Sequence, residues 1–251
     1  MKAQNLVLAL FVALISSIQS LSARSIAHHT RSTKHPAGST AQSNGSAATE
    51  PFAGAYRAVP KTSIARNGTT LAPVTDYSDL HSLLVTLPKD AAVRSKYPGL
   101  RKGVQPGPTQ REPEEIKNVR IKSCWLASAK HERQLVNGVS KGDNDFHVIV
   151  TNSPTDFSEV MNAEISGLPA KTGSDFNKLR DVRALFLSFF TSTPSSISFA
   201  RINPPKHVTL EGSLYFDGDH NAGGKTDPGP AWAKPQSVWE IHPIYKITSL
   251  N

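Results

Sequence analysis

The sequence predicts a mainly β protein in which residues 111–251 form a five-stranded barrel with one helix between strands three and four. Five segments alternate apolar and polar residues, and one segment between the third and fourth repeats at three to four residues. Only 38% of the chain is hydrophobic, and it contains 16 Gly and 18 Pro. This composition indicates one packed core together with a long region that buries little apolar surface.

The start of the chain has the features of a secretory signal peptide, assigned to residues 1–23. Lys2 precedes the uninterrupted apolar run Leu6–Ile15, and small polar residues follow. The run is too short to span a bilayer as a helix, and no later stretch is long or apolar enough to do so. We therefore expect a secreted or periplasmic protein. More than one position for cleavage of the signal peptide fits the sequence.

Residues 24–110 are rich in Ser, Thr, Ala, Gly and Pro, with 11 Lys or Arg against 4 Asp or Glu. We expect a disordered basic linker or arm, with one short helix after Thr75 or Asp76. Prolines and glycines break the segment that follows, residues 88–108, and we expect it either to lie on the barrel or to remain loose. Residues 111–251 carry 16 basic and 16 acidic residues. A neutral barrel behind a basic arm disfavours nucleic acid as a partner, because nucleic-acid-binding domains usually present a basic surface.

Alternation assigns one face of each strand to the barrel core and the other face to water. The residues expected in the core are Val119, Ile121, Ser123 and Trp125; Phe146, Val148 and Val150; Met161, Ala163 and Ile165; Val208, Leu210, Gly212, Leu214 and Phe216; and Trp239 and Ile241. Apolar residues from Phe176 to Phe190 predict an amphipathic helix of about four turns, with Ser174 as its N-cap. The single cysteine, Cys124, excludes an internal disulfide, and we expect it to be a buried, unreactive thiol.

The order β-β-β-α-β-β resembles the OB-fold, a five-stranded Greek-key barrel, with a split α+β sandwich as the second choice. Four pieces carry a further resemblance: Asp-Asn-Asp-Phe-His-Val-Ile-Val, Met-Asn-Ala-Glu-Ile, Leu-Tyr-Phe-Asp-Gly-Asp-His and Trp-Glu-Ile-His-Pro-Ile. Together, over about residues 117–248, they resemble a group of uncharacterised bacterial exported proteins that end in a Trp-Glu-(Ile/Val)-His-Pro strand. The resemblance implies an OB-like barrel and a bacterial source, and it implies no activity.

Acidic and histidine residues are concentrated on the predicted outward face. Asp145 and His147 lie on strand two, Glu164 on strand three, and Glu240 and His242 on strand five. In OB-folds this face and the loops beside it commonly carry the ligand. These five residues are the predicted ligand-binding site of an exported, non-enzymatic binding module. Its ligand or cell-envelope partner is unknown at this point.

A second candidate is the loop that begins at Asp217. Asp217, Asp219 and His220 offer ligand atoms at close spacing, as calcium loops do. However, the glycine comes one place late for an EF-hand, and Pro228 stands where a bidentate Glu would be. A calcium or zinc ion is one interpretation of these three residues, and a polar Asp/Gly turn is the favoured one.

Two further functions stay open. A metal-dependent, nuclease-like hydrolase would use the loop with Asp217 and Asp219 together with the nearby histidines. The element order is similar to that of staphylococcal-type thermonucleases, but Ile165–Ala170 lacks the carboxylates that follow strand three in those enzymes. The chain has no nucleophile elbow, HExxH motif or P-loop. A structural envelope protein, attached through its basic arm, is the other alternative.

Overall fold

The computed structural model describes residues 44–100, 109–220 and 229–250. The predicted signal peptide, residues 24–43 of the predicted arm and residues 101–108 lie outside these ranges. No helix within the described ranges is both long and apolar enough to cross a membrane.

The first part of the described chain, residues 44–100, forms short elements that we call the N-terminal layer. Its helices and strands are α1 (Asn44–Ala47), α2 (Ala58–Thr62), β1 (Arg66–Asn67), β2 (Thr70–Leu71), β3 (Val74–Tyr77), α3 (Leu80–Leu84) and α4 (Asp90–Lys96). Helix α3 begins after Asp79, whose side chain accepts from Ser82 N in a capping box. The caps predicted at Thr75 and Asp76 are wrong, because both residues lie in β3.

The rest of the chain forms the barrel. Its elements are β4 (Asn118–Glu132), β5 (Leu135–Val136), β6 (Val139–Ser140), β7 (Asp145–Thr151), β8 (Val160–Ile165), α5 (Phe176–Leu187), β9 (Ala200–Phe216) and β10 (Trp239–Ser249). Strands β4, β7, β8, β10 and β9 pair in that order, and β9 pairs back to β4. All pairs are antiparallel except β8 with β10. A mainly β protein with a closed five-stranded barrel is therefore confirmed, and the helix lies between its third and fourth strands.

The alternation pattern located the core correctly on most barrel strands. Phe146, Val148 and Val150 of β7 lie in one buried cluster with Met161, Ala163 and Ile165 of β8 and Trp239 of β10. Helix α5 contributes Val182, Phe186 and Leu187 to this cluster. It begins after Asp175 rather than Ser174 and ends earlier than expected.

Strand β4 departs from strict alternation. Its pairing with β9 shifts register between Ile121 and Cys124, which indicates a bulge. As a result Cys124 and Leu126 lie in the core, whereas Trp125 is half-buried. The Trp125 ring stacks on the His207 ring, with 4.5 Å between the ring centroids. The core positions predicted for Ser123 and Trp125 are therefore wrong. Cys124 is the buried thiol that was expected, and burial raises its pKa to about 12.

The N-terminal layer is packed on the barrel, which corrects the expectation of a disordered arm for residues 44–87. For residues 88–100, the alternative in which the segment lies on the barrel is the one observed. Leu80, Leu83 and Leu100 are fully buried in the same hydrophobic cluster as the barrel strands. The Arg57 guanidinium makes a bidentate ion pair with Glu115, at 2.6 and 2.7 Å, and both side chains are fully buried. Strand β3 also pairs in parallel with β4 over Val74–Tyr77. Leucines, a buried ion pair and this strand pairing together attach a segment whose composition is that of a linker. The packed unit therefore extends to the N-terminal side of Arg111.

Candidate functional site

Five predicted ligand-binding residues, Asp145, His147, Glu164, Glu240 and His242, lie side by side on neighbouring strands. We call them the buried cluster. His147 of β7 pairs with Glu164 of β8 in the ladder, and Glu240 of β10 pairs with Asn162 of β8. Because β7, β8 and β10 are adjacent in the barrel, the residues converge, as the binding-site prediction requires.

These residues do not face water, which corrects the outward orientation expected from alternation. Asp145, Glu164, Glu240 and His242 are each at most 1% exposed, and His147 is half-buried. The side chains do point away from the barrel core, as predicted, but the N-terminal layer covers them. Helix α2 contacts β10, and the carbonyl of Lys61 accepts a hydrogen bond from Ser166 at the end of β8.

The carboxylate of Glu164 lies between two histidines. Its Oε1 is 3.2 Å from His147 Nε2, and its Oε2 is 2.9 Å from His242 Nδ1. His147 Nε2 is also 3.8 Å from Asp145 Oδ1. Asn162 Nδ2 donates to Glu164 Oε1 at 3.1 Å and to Glu240 Oε1 at 2.8 Å, so one amide links two carboxylates.

Several buried polar atoms of the cluster have no hydrogen-bond partner among the described residues. They are both carboxylate oxygens of Asp145, Oε2 of Glu164 and of Glu240, and both ring nitrogens of His242. Glu164 Oε2 and His242 Nδ1 still lie 2.9 Å apart as an ion pair, so this contact satisfies both atoms in part. Each buried polar atom left without a partner costs about 1–3 kcal/mol, so the cluster is poorly satisfied by protein groups alone.

The cluster also concentrates negative charge away from water. Burial, and then the charge of Glu164, raises the pKa of Asp145 well above its usual value. The same two causes, in the same order, raise the pKa of Glu240. In the protein alone, both carboxyl groups are therefore driven towards the protonated form.

The histidines act in the opposite direction on Glu164. Burial would raise the pKa of Glu164, but the charge of His147, and that of His242 when its ring is protonated, outweigh it and hold that pKa well below its usual value. Burial lowers the pKa of His242, which favours a neutral ring with an available nitrogen lone pair. An ionised carboxylate beside a neutral imidazole is the state in which both groups bind metal ions.

Comparison of the chain with protein-family models, curated proteins and solved structures finds no match.

The donor set of the buried cluster fits a divalent transition metal. Three carboxylates and two imidazoles are ligands that zinc and its first-row neighbours accept, whereas calcium takes six to eight oxygens. Bonds of about 2.0–2.2 Å in a tetrahedral site separate the ligand atoms by about 3.4 Å. The distances from His147 Nε2 to its two carboxylate neighbours, 3.2 and 3.8 Å, bracket that value.

A cleft of about 600 Å³ opens beside the cluster. His147 lies on its wall, together with Tyr56, Lys61 and Asp143. The Lys61 ammonium forms an ion pair with the Asp143 carboxylate. The cleft therefore gives solvent and small molecules a route to the His147 side of the cluster.

Asp217, Asp219 and His220 line the same cleft. The Asp217 carboxylate lies 2.8 Å from His220 Nδ1 and accepts from the Asp219 N–H at 3.1 Å. These internal contacts are those of a polar turn at the end of β9, the favoured interpretation of this loop. The rest of the loop, residues 221–228, lies outside the described residues.

Sequence reasoning missed three residues that shape the site. Lys61 and Arg57 belong to a segment with linker composition, where no periodic pattern singles them out. Asn162 was placed on the same strand face as Glu164 by alternation. Its amide could have been recognised as a link between the strands once the strand order was known.

Proposed function

We propose that the protein is an exported, non-enzymatic binding module whose OB-like barrel binds a divalent transition metal at the buried cluster. The observation that carries this proposal is the set of unpartnered buried ligand atoms on Asp145, Glu164, Glu240 and His242. A dication coordinated by these atoms together would remove the free-energy cost of leaving them without partners.

Packing alone is a weaker explanation for the cluster. A buried polar network stabilises a fold when every member is satisfied, and here several members are not. Ion pairs with the histidines also leave three carboxylates beside two imidazoles, and burial favours the neutral form of His242. A bound cation supplies the missing positive charge.

The OB-like assignment is supported by the strand order and by the helix between the third and fourth barrel strands. The outer faces of the second and third strands are where OB-folds commonly bind ligands, and two of the cluster's strands are those. The leader-like pattern from Lys2 to Ile15 supports export.

A metal-dependent hydrolase is the second candidate, favoured by the cleft. A metal ion held partly by His147 could activate a water molecule that faces the cleft, and Lys61 could contact an anionic substrate there. Hydrolysis of a phosphoester or another polymer, abolished by chelator and restored by metal, would decide for this candidate.

The proposed function is tested by metal-dependent stability of the chain without its leader. The protein is stripped with chelator, and thermal melts are recorded with zinc, manganese and calcium added back separately. At a hundredfold excess over the dissociation constant, binding to the native state adds about 2.7 kcal/mol, which raises Tm by about 5–11 °C for a unit of this size. We expect a rise with zinc or manganese and little change with calcium.

Two variants make the test specific. Glu164→Gln removes a carboxylate shared by the whole cluster, and its Tm should no longer respond to metal. The same acid-to-amide change at the exposed Asp181 should leave the response intact. The proposal would be contradicted if none of the three metals changed the Tm of the wild type. It would also be contradicted if the Tm of Glu164→Gln still rose with metal as much as that of the wild type.

A further inference from the structure

The buried cluster consists of two overlapping sets of ligand atoms. The outer triad is Asp145, His147 and Glu164, and the inner triad is Glu164, Glu240 and His242. Within each triad the ligand atoms lie within 4.8 Å of one another. Each triad contains one imidazole and two carboxylates, and Glu164 is the residue they share.

The shared carboxylate directs one oxygen to each triad. Oε1 faces His147 on the β7 side, and Oε2 faces His242 on the β10 side, because β8 lies between those two strands. Asn162 donates to Glu164 Oε1 and to Glu240 Oε1, which orients both carboxylates. Glu164 Oε2 and Glu240 Oε2 are then left without hydrogen bonds, next to His242.

We propose that the cluster binds two divalent transition-metal ions bridged by the carboxylate of Glu164, one in each triad. This inference rests on the proposed function, since it concerns how many ions the same site holds. Bridged pairs of metal ions in proteins lie about 3.5–4 Å apart, a spacing that one carboxylate can span with its two oxygens.

The charge of the cluster can also accommodate two ions. The nearby Asp143 and Asp217 are already paired, with Lys61 and His220 respectively, which leaves the three carboxylates of the cluster itself. One dication leaves a net charge of −1 among these three groups when all are ionised. Two dications leave +1, which a hydroxide or an anionic ligand on a metal ion neutralises.

The two ions have different access to solvent. His147 of the outer triad lies on the wall of the cleft, whereas Glu240 and His242 of the inner triad are buried and do not line it. The outer ion is therefore the one that can keep an open coordination position towards the cleft. Such a position suits a water molecule or an oxygen-donor ligand such as a carboxylate or a phosphate.

The test counts manganese ions and measures whether they interact. The chain without its leader is stripped, dialysed against manganese, and analysed for bound metal by mass spectrometry and for spin coupling by electron paramagnetic resonance. We expect two manganese ions per chain and an exchange-coupled spectrum. Asp145→Asn and Glu240→Gln should each leave one ion and an uncoupled spectrum, whereas Asp181→Asn should leave two coupled ions.

The possible results separate the two proposals. One ion per wild-type chain would overturn the bridged pair and leave metal binding itself in place. Two ions without coupling would also overturn the bridge, because they would not share Glu164. No bound manganese, together with a wild-type Tm that zinc does not raise in the melts described above, would overturn both. The wild-type result is decisive on its own, so failure of a variant to fold does not obscure the outcome.

Discussion

Replacing Glu115 with alanine tests whether the N-terminal layer is an integral part of the fold. Glu115 lies just before β4, and its carboxylate accepts two hydrogen bonds from the Arg57 guanidinium, which also donates to the backbone carbonyls of Phe216 and Gln110. The same carboxylate accepts from the backbone N–H of Phe216 at 2.8 Å and of Glu112 at 2.6 Å. One side chain therefore joins the N-terminal layer, the start of β4 and the end of β9.

The expected loss of stability in Glu115→Ala follows from the burial of the ion pair. Both partners of the ion pair are fully buried, and removal of one partner from such a pair costs about 3–5 kcal/mol, because the other charge stays in the interior without compensation. The Phe216 N–H is buried as well, and a buried donor that loses its acceptor adds to that cost. For a unit of this size, 3–5 kcal/mol lowers Tm by about 6–20 °C.

The assay is urea or thermal unfolding followed by circular dichroism. Glu114→Ala is the control one residue away, because its carboxylate pairs with the exposed Lys96, and exposed pairs contribute about 0–1 kcal/mol. The combined change Arg57→Met with Glu115→Leu should recover much of the loss by removing both charges. If Glu115→Ala costs no more than Glu114→Ala, the N-terminal layer is not held as described.

Three further changes test other parts of the fold. Burial would raise the pKa of Asp175, but its bonds to Arg66 and to the Ile64 N–H hold that pKa below its usual value. Asp175 therefore stabilises the fold above about pH 4 and loses that effect as the pH falls through its folded pKa. The difference in unfolding free energy between wild type and Asp175→Asn should therefore disappear in acid. A difference that stays constant down to about pH 2 contradicts this expectation. In Gly218→Ala the new Cβ would clash with the Leu100 carbonyl oxygen, and we expect a loss of at least about 1–3 kcal/mol in urea unfolding, against no loss if this contact does not exist. Phe186→Ala empties a fully buried position of α5 and should cost about 3–5 kcal/mol, whereas a cost below about 1 kcal/mol would place the helix elsewhere.

The barrel strands could be predicted from the sequence because each buries one face and leaves a period of two. Phe146, Val148 and Val150 show this, and all three lie in the core. The bulge in β4 could not be predicted, because the shift between Ile121 and Cys124 depends on the partner strand β9. The packing of residues 44–100 on the barrel could not be predicted from the sequence for a different reason. It depends on a buried ion pair and scattered leucines, which leave no periodic pattern.

The composition of the site was predictable and its environment was not. Alternation correctly placed the five cluster residues on the face opposite the core, and adjacency of their strands brought them together. Their burial depends on the N-terminal layer, which the sequence presents as a linker. The same covering layer turns ordinary surface carboxylates, such as Asp145 and Glu240, into groups whose charge is costly without a cation.

The most direct test of the bridged metal pair is anomalous diffraction from crystals of the chain grown with manganese. We expect anomalous density on both sides of the Glu164 carboxylate, within about 2.0–2.3 Å of nitrogens of His147 and His242. Density on one side alone would support a single-ion site. Anomalous density confined to exposed carboxylates, with none beside Glu164, would contradict the assignment of the buried cluster as a metal site.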